Sequence, residues 1–413
     1  MQQVRTVIVI NDFDYITGGA GQIAISTANA LAERGLHVIF FSAVSNPERA
    51  DLSDTIERYS TNQKDILNDT SRLNAFTQGL WNRQSARLLR SILSKTDPKA
   101  TVIHLHGWIK ALSPSIGKVL AASGIPVVCT LHDYFTACPN GGFYNFQQEK
   151  ACHLQAMSVS CLCTNCDVRN YGHKLWRVAR QEIQLRFGKI PRKIGHFIAP
   201  TKFSENILRP YLPASATIHL LSNPVSRTIP GQPKADISSD RFLFVGRLSK
   251  EKGVDIACAA ATLAGAHLTV VGTGPMESML REKYPQVEFK GWLSPDKVSG
   301  EMLRARALIF PSVCYETQGL AVLEAFSVGL PVIVSDQCAA SEYVTPENGF
   351  TYTSGNAGDL AAKIKVLMSN TGLAEEMSRH AYTGYWEQPL LQETYIRGTL
   401  AIYEHMLNEK DPI

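Results

Sequence analysis

The stretch that most constrains this chain runs from Ala307 to Ser335. An apolar run, Ala307 to Phe310, breaks at Pro311 and passes into a polar turn; an apolar helix restarts at Gly319, and Gly329 stops it just before Pro331 to Ser335. A loop that feeds a helix N-terminus turns free backbone N–H groups toward whatever lies above the strand ends, and those groups favour phosphate. Glu316 sits on that loop, and Glu324 lies within the helix. The arrangement suits an anionic ligand.

The same rhythm recurs along the chain. Val4 to Ile10 is a near-continuous apolar run, the pattern of a strand buried on both faces of a parallel sheet. A glycine-bearing turn follows, then a helical pattern over Ile23 to Arg34 and a strand over His37 to Ser42. Gly18, Gly19 and Gly21 let backbone approach a ligand at that turn. Their spacing is not G-x-G-x-x-G and no acidic residue follows the second strand, which argues against a nicotinamide site. Helical segments cover Asn68 to Lys95. Strands at Thr101 to Leu105 and Pro126 to Leu131 run into His104-Leu-His106 and His132-Asp133, at the strand ends that face the ligand crevice of open α/β sheets. Further strands are expected at Gly195 to Ala199 and Thr217 to Leu221.

With 413 residues the chain exceeds the size at which one core stops growing, so two domains are expected. Ser222 to Lys234 carries three prolines and a glycine in 13 residues, as a linker does, and the boundary is placed near Asn223. The second half then restarts with Arg241 to Val245, the turn Gly246 to Gly253, and His267 to Val271 closed by Gly272-Thr-Gly274-Pro275. Val287 to Leu293 and a helix over Asp296 to Arg306 lead back to the opening stretch. Arg247 and Lys252, beside a strand's carboxyl end, suit a diphosphate.

A net charge of +4 is mild and argues against a nucleic-acid binder. The N-terminal residues do not form a signal peptide, and no apolar run is long enough to span a bilayer, so a cytoplasmic protein with reduced cysteines is expected. Five of the nine cysteines fall between Cys138 and Cys166. Cys163-Thr-Asn-Cys166 has the spacing that grips one tetrahedral metal, with Cys138 and Cys152 as the natural second pair and Cys161 or His153 as substitutes, a structural zinc site rather than a catalytic one. From His173 to Lys193, Leu175, Trp176, Ala179, Ile183 and Phe187 recur at helical spacing opposite a strongly basic face. That composition suits a helix lying on anionic lipid headgroups, or one packed on its own domain with a solvated face.

Taken together, Gly18-Gly19-Ala20, Leu131-His132-Asp133, Val245-Gly246-Arg247-Leu248, Glu251-Lys252-Gly253, Val271-Gly272-Thr273-Gly274-Pro275 and Glu316-x7-Glu324 resemble the motifs of the family 4 retaining glycosyltransferases, in family order. The resemblance implies the GT-B fold: an acceptor-binding Rossmann-like domain over 1–222 with a cysteine-rich insertion at 138–166, a nucleotide-sugar-binding one over 223–384, and a C-terminal helix over 385–413 crossing back to the first. It implies metal-independent transfer of a hexose from a UDP- or GDP-linked sugar. Arg247 and Lys252 would hold the diphosphate with the Gly319-Leu320 backbone, and Glu324 the ribose. Trp292 and Leu293 would border the base, with Gly272 and Gly274 near the donor. Glu316 and His132 would flank the sugar, and Gly18 and Gly19 would approach donor and acceptor. Gln318 stands where many relatives have Phe. The insertion resembles a subgroup of bacterial surface-polysaccharide assembly, with Cys138, Cys152, Cys163 and Cys166 as ligands and a glycan or lipid-linked glycan as acceptor. Two other readings share the fold: a catalytically idle nucleotide-sugar-binding assembly subunit, and a sugar-nucleotide epimerase, which would lack the Arg247/Lys252 and paired-glutamate set.

Overall fold

The protein is described here from a computed structural model covering residues 3–46, 48–49, 51–225 and 235–409. Most of the expected linker, 226–234, lies outside the described residues.

The chain forms two open parallel sheets. The first contains β1 (Thr6–Ile10), β2 (His37–Ser42), β3 (Glu57–Ser60), β4 (Thr101–Leu105) and β5 (Val127–Thr130). After a short antiparallel hairpin, β6 (Tyr144–Asn145) and β7 (Lys150–Ala151), it continues with β8 (His196–Ala199) and β9 (Thr217–Leu220). Its order is β3-β2-β1-β4-β5-β8-β9. The second sheet holds β10 (Arg241–Val245), β11 (His267–Val271), β12 (Glu288–Gly291), β13 (Ala307–Phe310), β14 (Val332–Ser335) and β15 (Gly349–Tyr352), in the order β12-β11-β10-β13-β14-β15. Each sheet reverses strand order beside its first strand, so each has a switch point where the loops after neighbouring strands diverge and leave a crevice.

Alternation along β1 explains its apolar run. Ile8 and Ile10 enter one core with Leu89, Ile116 and Leu120, whereas Val7 and Val9 enter the other with Ile23, Ala24 and Leu31. The second core also takes Tyr395, Ile396, Ile402 and Tyr403, so the last helix, Gln392–Asn408, packs on the first sheet. Within the expected 385–413 the helix is Gln392–Asn408, and Pro389 separates it from Thr371–Glu387, because proline has no N–H to continue the ladder. Two strands lack an apolar signal: β3, on the outer edge, reads Glu-Arg-Tyr-Ser, and β15, on the far edge of the second sheet, reads Gly-Phe-Thr-Tyr.

The basic segment does not bury its apolar stripe in its own domain. Its helix runs Tyr171–Ile183 and buries Lys174, Arg180 and Gln181 while leaving Leu175 exposed, and Phe187 is exposed on the turn Gln184–Gly188 that follows. The buried polar groups are matched locally. The Lys174 ammonium lies 3.4 Å from the Cys161 sulfur and 3.3 Å from that of Cys166. The Arg180 guanidinium stacks between the Trp176 and Phe135 rings at 5.1 and 5.3 Å. No helix among the described residues is long and apolar enough to cross a membrane.

Candidate active site

In the second sheet, the loop after β13 carries Glu316. Its carboxylate accepts from the Lys252 ammonium and from the Ser312 hydroxyl at 2.6 Å. Burial would raise the Glu316 carboxyl, but the Lys252 ammonium and Ser312 hydroxyl outweigh it and hold the group below its usual range. Burial also acts against the Lys252 charge, and the Glu316 carboxylate overcomes it, leaving the amine raised. Lys252 is placed by a short 3-10 turn, Lys250–Lys252, that ends at Gly253 with φ 66°. A Cβ there would lie 2.1 Å from the Pro311 carbonyl oxygen, so the glycine brings the β10 and β13 loops together.

Gly319, at φ 87°, opens the helix Leu320–Ser327. A Cβ on it would reach 2.6 Å from Ala340 Cβ, which fixes glycine at this helix start. Glu324, on that helix, is raised to about 7 by burial. Its carboxyl has no hydrogen-bond partner among the described residues, so it is open to a ligand hydroxyl. Arg247 is exposed on the loop after β10, and no carboxylate pairs with it among the described residues. Gly272 and Gly274 act through the protein's own backbone. A Cβ on Gly272 would meet the Gly246 carbonyl oxygen at 1.9 Å and one on Gly274 that of Leu248 at 2.3 Å, so these glycines let the β11 loop press on the Arg247 loop. Trp292, at the end of edge strand β12, is 72% exposed, and no hydrogen bond or ring contact ties it to the other site residues among those described. Leu293 is half-buried against the domain core.

The first sheet supplies the facing wall. Nδ1 of His106 and Nε2 of His132 are 2.8 Å apart, and His104 bonds Tyr403 at 2.6 Å and Thr130 at 2.7 Å. Burial lowers His132 to about 4 and His104 to about 3, and holds His106 well below its ordinary value, so all three rings are neutral at pH 7. The two walls touch here: the Thr317 hydroxyl donates to the His132 carbonyl oxygen at 3.1 Å, and the Tyr134 hydroxyl to that of Glu316 at 3.1 Å. Buried Gln318, bonded to Asn223 at 2.7 Å, ties the same loop to the junction between the halves.

Beside His106 a cavity of about 70 Å³ opens at the carboxyl ends of β1, β4 and β5, lined by Asp12, Gly21, His106, Lys110, Asp133 and Phe135 among others. Thr17, Ala20 and Gly21 line it, whereas Gly18 and Gly19, at the start of the helix Gly19–Glu33, are not in its lining, and a Cβ on either would meet nothing within 4 Å. Asp12 accepts from the N–H groups of Lys110, Ala111 and Leu112 at 2.8 to 2.9 Å and so shapes the loop after β4. Burial raises Asp133 to about 6. His106 Nε2 is buried without a partner. Asp12, Ser312 and Lys110 thus lie beside the residues expected from sequence without having been named there. Asp12 was discoverable, because it follows β1 directly, where parallel strands point their end residues into the crevice.

The cysteines expected to hold zinc are not assembled as a ligand set. Cys163 is exposed at the end of the short helix Val159–Cys163, whereas Cys138 and Cys166 are buried. Among the described residues no group of three or more His, Cys, Asp or Glu side chains is disposed to hold a metal. The space between the Cys161 and Cys166 sulfurs is taken by the Lys174 ammonium, a cation already in place. The insertion instead bridges the two halves. Glu149 pairs with Lys250 at 3.0 Å, His153 bonds the Tyr315 hydroxyl at 2.9 Å, and Tyr144 packs with Val313 and Cys314.

The chain is similar to known proteins. Residues 17–228, more than half of the chain, match the family described as Glycosyltransferase Family 4, and residues 226–384 match Glycosyl transferases group 1. An uncharacterised glycosyltransferase of Methanocaldococcus jannaschii is 29% identical over 158 residues, 36% of this chain and 40% of that protein. A GDP-mannose-dependent alpha-(1-6)-phosphatidylinositol dimannoside mannosyltransferase of Mycobacterium tuberculosis is 37% identical over 116 residues, 26% of this chain and 30% of that protein. The chain thus spans less than half the length of these relatives. Anabaena HepE, solved with UDP and glucose, aligns over 97% of this chain and 100% of its own with a TM-score of 0.66 at 16% identity, a likeness of fold.

Proposed function

The chain belongs to Glycosyltransferase Family 4 and has the two-domain GT-B fold, and from that premise we propose that it is a retaining glycosyltransferase moving a hexose from a UDP- or GDP-linked sugar to a glycan or lipid-linked glycan. The supporting observation is the loop after β13, whose Glu316 holds Lys252 and Ser312 while its Thr317 bonds the His132 carbonyl oxygen of the other half.

Breaking a glycosyl–phosphate bond leaves negative charge on the diphosphate. Arg247, Lys252 and the N–H groups opening the helix at Leu320 would neutralise it without a metal. Lys252 meets Glu316, so a bound phosphate would share an ammonium that is already held in place. Glu324 would receive the ribose hydroxyls. Neutral His132 would offer a hydrogen bond to the sugar rather than a positive charge, which would oppose the cationic character growing at the anomeric carbon. In same-face transfer the acceptor oxygen bonds to the anomeric carbon as the carbon–phosphate oxygen bond breaks, and the acceptor proton passes to the leaving phosphate. The cavity beside Asp12 and Asp133 would hold the acceptor hydroxyl. A cytoplasmic place in surface-polysaccharide assembly, peripheral to the membrane, fits this chemistry.

The test is thermal stabilisation by UDP, GDP and ADP and their sugar conjugates, repeated on Glu324→Ala and Arg247→Ala. One nucleotide should raise the melting temperature of the wild type and neither variant should respond. NMR of the product anomer from the matching donor, with and without chelator, then reads retention and metal independence. No response to any nucleotide at millimolar concentration sinks the proposal.

A further inference from the structure

A second cavity, of about 480 Å³, lies between the helices Arg72–Leu80 and Tyr171–Ile183. Its lining is unusual: four arginines, Arg72, Arg169, Arg177 and Arg180, and no carboxylate, around the Phe76 and Trp176 rings, 6.0 Å apart. Arg177 is neutralised by buried Asp167 at 2.6 Å. Arg72, Arg169 and Arg180 have no ion-pair partner among the described residues. Arg180 is 2% exposed and its Nε has no hydrogen-bond partner. Its Nη2 donates to the Pro139 carbonyl oxygen at 3.4 Å and its charge is offset in part by Asp12 and Asp133, so exposed Arg72 and Arg169 are the uncompensated charges that an anion entering the cavity would meet. Beside the arginines the surface is apolar and open: Leu67 is 59%, Leu73 75% and Phe76 50% exposed. Isolated exposed apolar residues mean little, but Leu67 and Phe76 both line this one concave cationic cavity, and Leu73 follows Arg72 on the same helix.

The cavity's walls pack against those of the candidate acceptor site. Arg180 stacks on Phe135, which lines the acceptor cavity, and the Ile66 N–H donates to the Lys110 carbonyl oxygen at 3.0 Å, Lys110 lining that cavity too.

We infer that this cavity binds the phosphate and adjoining hydrocarbon of a lipid-linked acceptor, the hydrocarbon lying on Phe76 and Trp176 and the phosphate on Arg72, Arg169 and Arg180. The inference rests on the transferase reading above and names its acceptor class. A concave cavity one ring away from Asp133 favours a single lipid substrate over a bilayer surface, which needs no cavity.

Decyl phosphate, below its micelle concentration, is titrated calorimetrically into the full-length protein, the Arg72→Ala/Arg169→Ala variant and Phe76→Asp. All three substituted positions are exposed, so the variants should fold. Binding should weaken at least tenfold in both, with decanol and inorganic phosphate failing to bind at the same concentrations. Equal binding by the variants overturns the inference, as does inorganic phosphate displacing decyl phosphate mole for mole, which would mark a site for free anions. Flotation with phosphatidylglycerol vesicles that the variants lose, while decyl phosphate binding stays unchanged, overturns it in favour of a bilayer contact. Nucleotide stabilisation is read on the same samples. It should survive in both variants, and its absence from the wild type would sink the transferase reading whatever decyl phosphate does.

Discussion

The Lys252 ammonium rests on the Glu316 carboxylate, with Ser312 as the carboxylate's second donor at 2.6 Å. Both side chains are mostly shielded, at 30% and 16% exposure, so removing one partner leaves the other's charge poorly solvated. Lys252→Ala is expected to lower stability by about 2 kcal/mol, below the range for a fully buried pair because water still reaches the lysine. It should also weaken nucleotide-diphosphate binding at least tenfold, the worth of one charge-assisted hydrogen bond. Urea unfolding and calorimetry check the two parts. Glu316→Gln separates them, because it frees Lys252 for phosphate and should keep nucleotide affinity while losing turnover.

Glu324 supplies a pH prediction. Its carboxyl is raised to about 7 by burial from an ordinary value of 4.5. Between those values the folded state holds a proton that the unfolded chain has released, so stability declines as pH rises from 4.5 through 7 and levels off above. The decline amounts to about 3 kcal/mol. Ribose hydroxyls donate best to the ionised form, so nucleotide affinity should rise over the upper part of the window in which stability falls. Glu324→Gln should flatten both trends and be more stable than wild type at pH 8. Unchanged slopes in urea midpoints and calorimetric affinity between pH 6 and 8 would refute this role.

Gly272 tests the packing of the loops that carry the site. A Cβ there would sit 1.9 Å from the Gly246 carbonyl oxygen, on a backbone at φ 132°. Gly272→Ala must push the two loops apart, at about 3 kcal/mol. Because Gly246 adjoins Arg247, the variant should also bind nucleotide less tightly although no ligand-contacting group has changed. Gly300→Ala, whose Cβ would meet nothing within 4 Å and which lies inside the helix Pro295–Leu303, should be neutral or slightly stabilising.

Much of this architecture is legible in the residues. The apolar runs locate the interior strands because a strand buried on both faces has no polar positions to blur the signal, and His267–Val271 appears as expected. The edge strands β3 and β15 escape because each packs on one neighbour and carries polar residues. The glycines and glutamates of the second half mark their loops, since a positive φ or a close backbone approach leaves few alternatives. The basic helix leaves two readings open in sequence, an apolar stripe on lipid or one packed inward, because periodicity does not show that Lys174 is buried by the Cys161 and Cys166 sulfurs and Arg180 by Trp176 and by Phe135 from another loop. Asp133 shows the same limit, since its proton affinity depends on walls contributed by several loops.

The insertion's hairpin gives the last prediction. Tyr144 is 2% exposed and joins Val313 and Cys314 from the loop that carries Glu316, with the Phe146 ring at 4.9 Å, yet its hydroxyl has no hydrogen-bond partner. An aromatic ring spanning the two halves stabilises their contact by burial, whereas an unpaired buried hydroxyl detracts from it. The two effects separate by substitution. Tyr144→Phe keeps the ring, removes the hydroxyl, and should be neutral or stabilising by about 1 kcal/mol. Tyr144→Ala leaves a cavity at the junction and should destabilise by about 3 kcal/mol. If the hairpin holds the Glu316 loop against the His132 wall, Tyr144→Ala should also raise the KM for donor more than it lowers kcat, and Glu149→Ala, which breaks the outer ion pair with Lys250, should do so weakly. Equal stabilities for the Phe and Ala variants would mean that the ring contributes nothing at this junction.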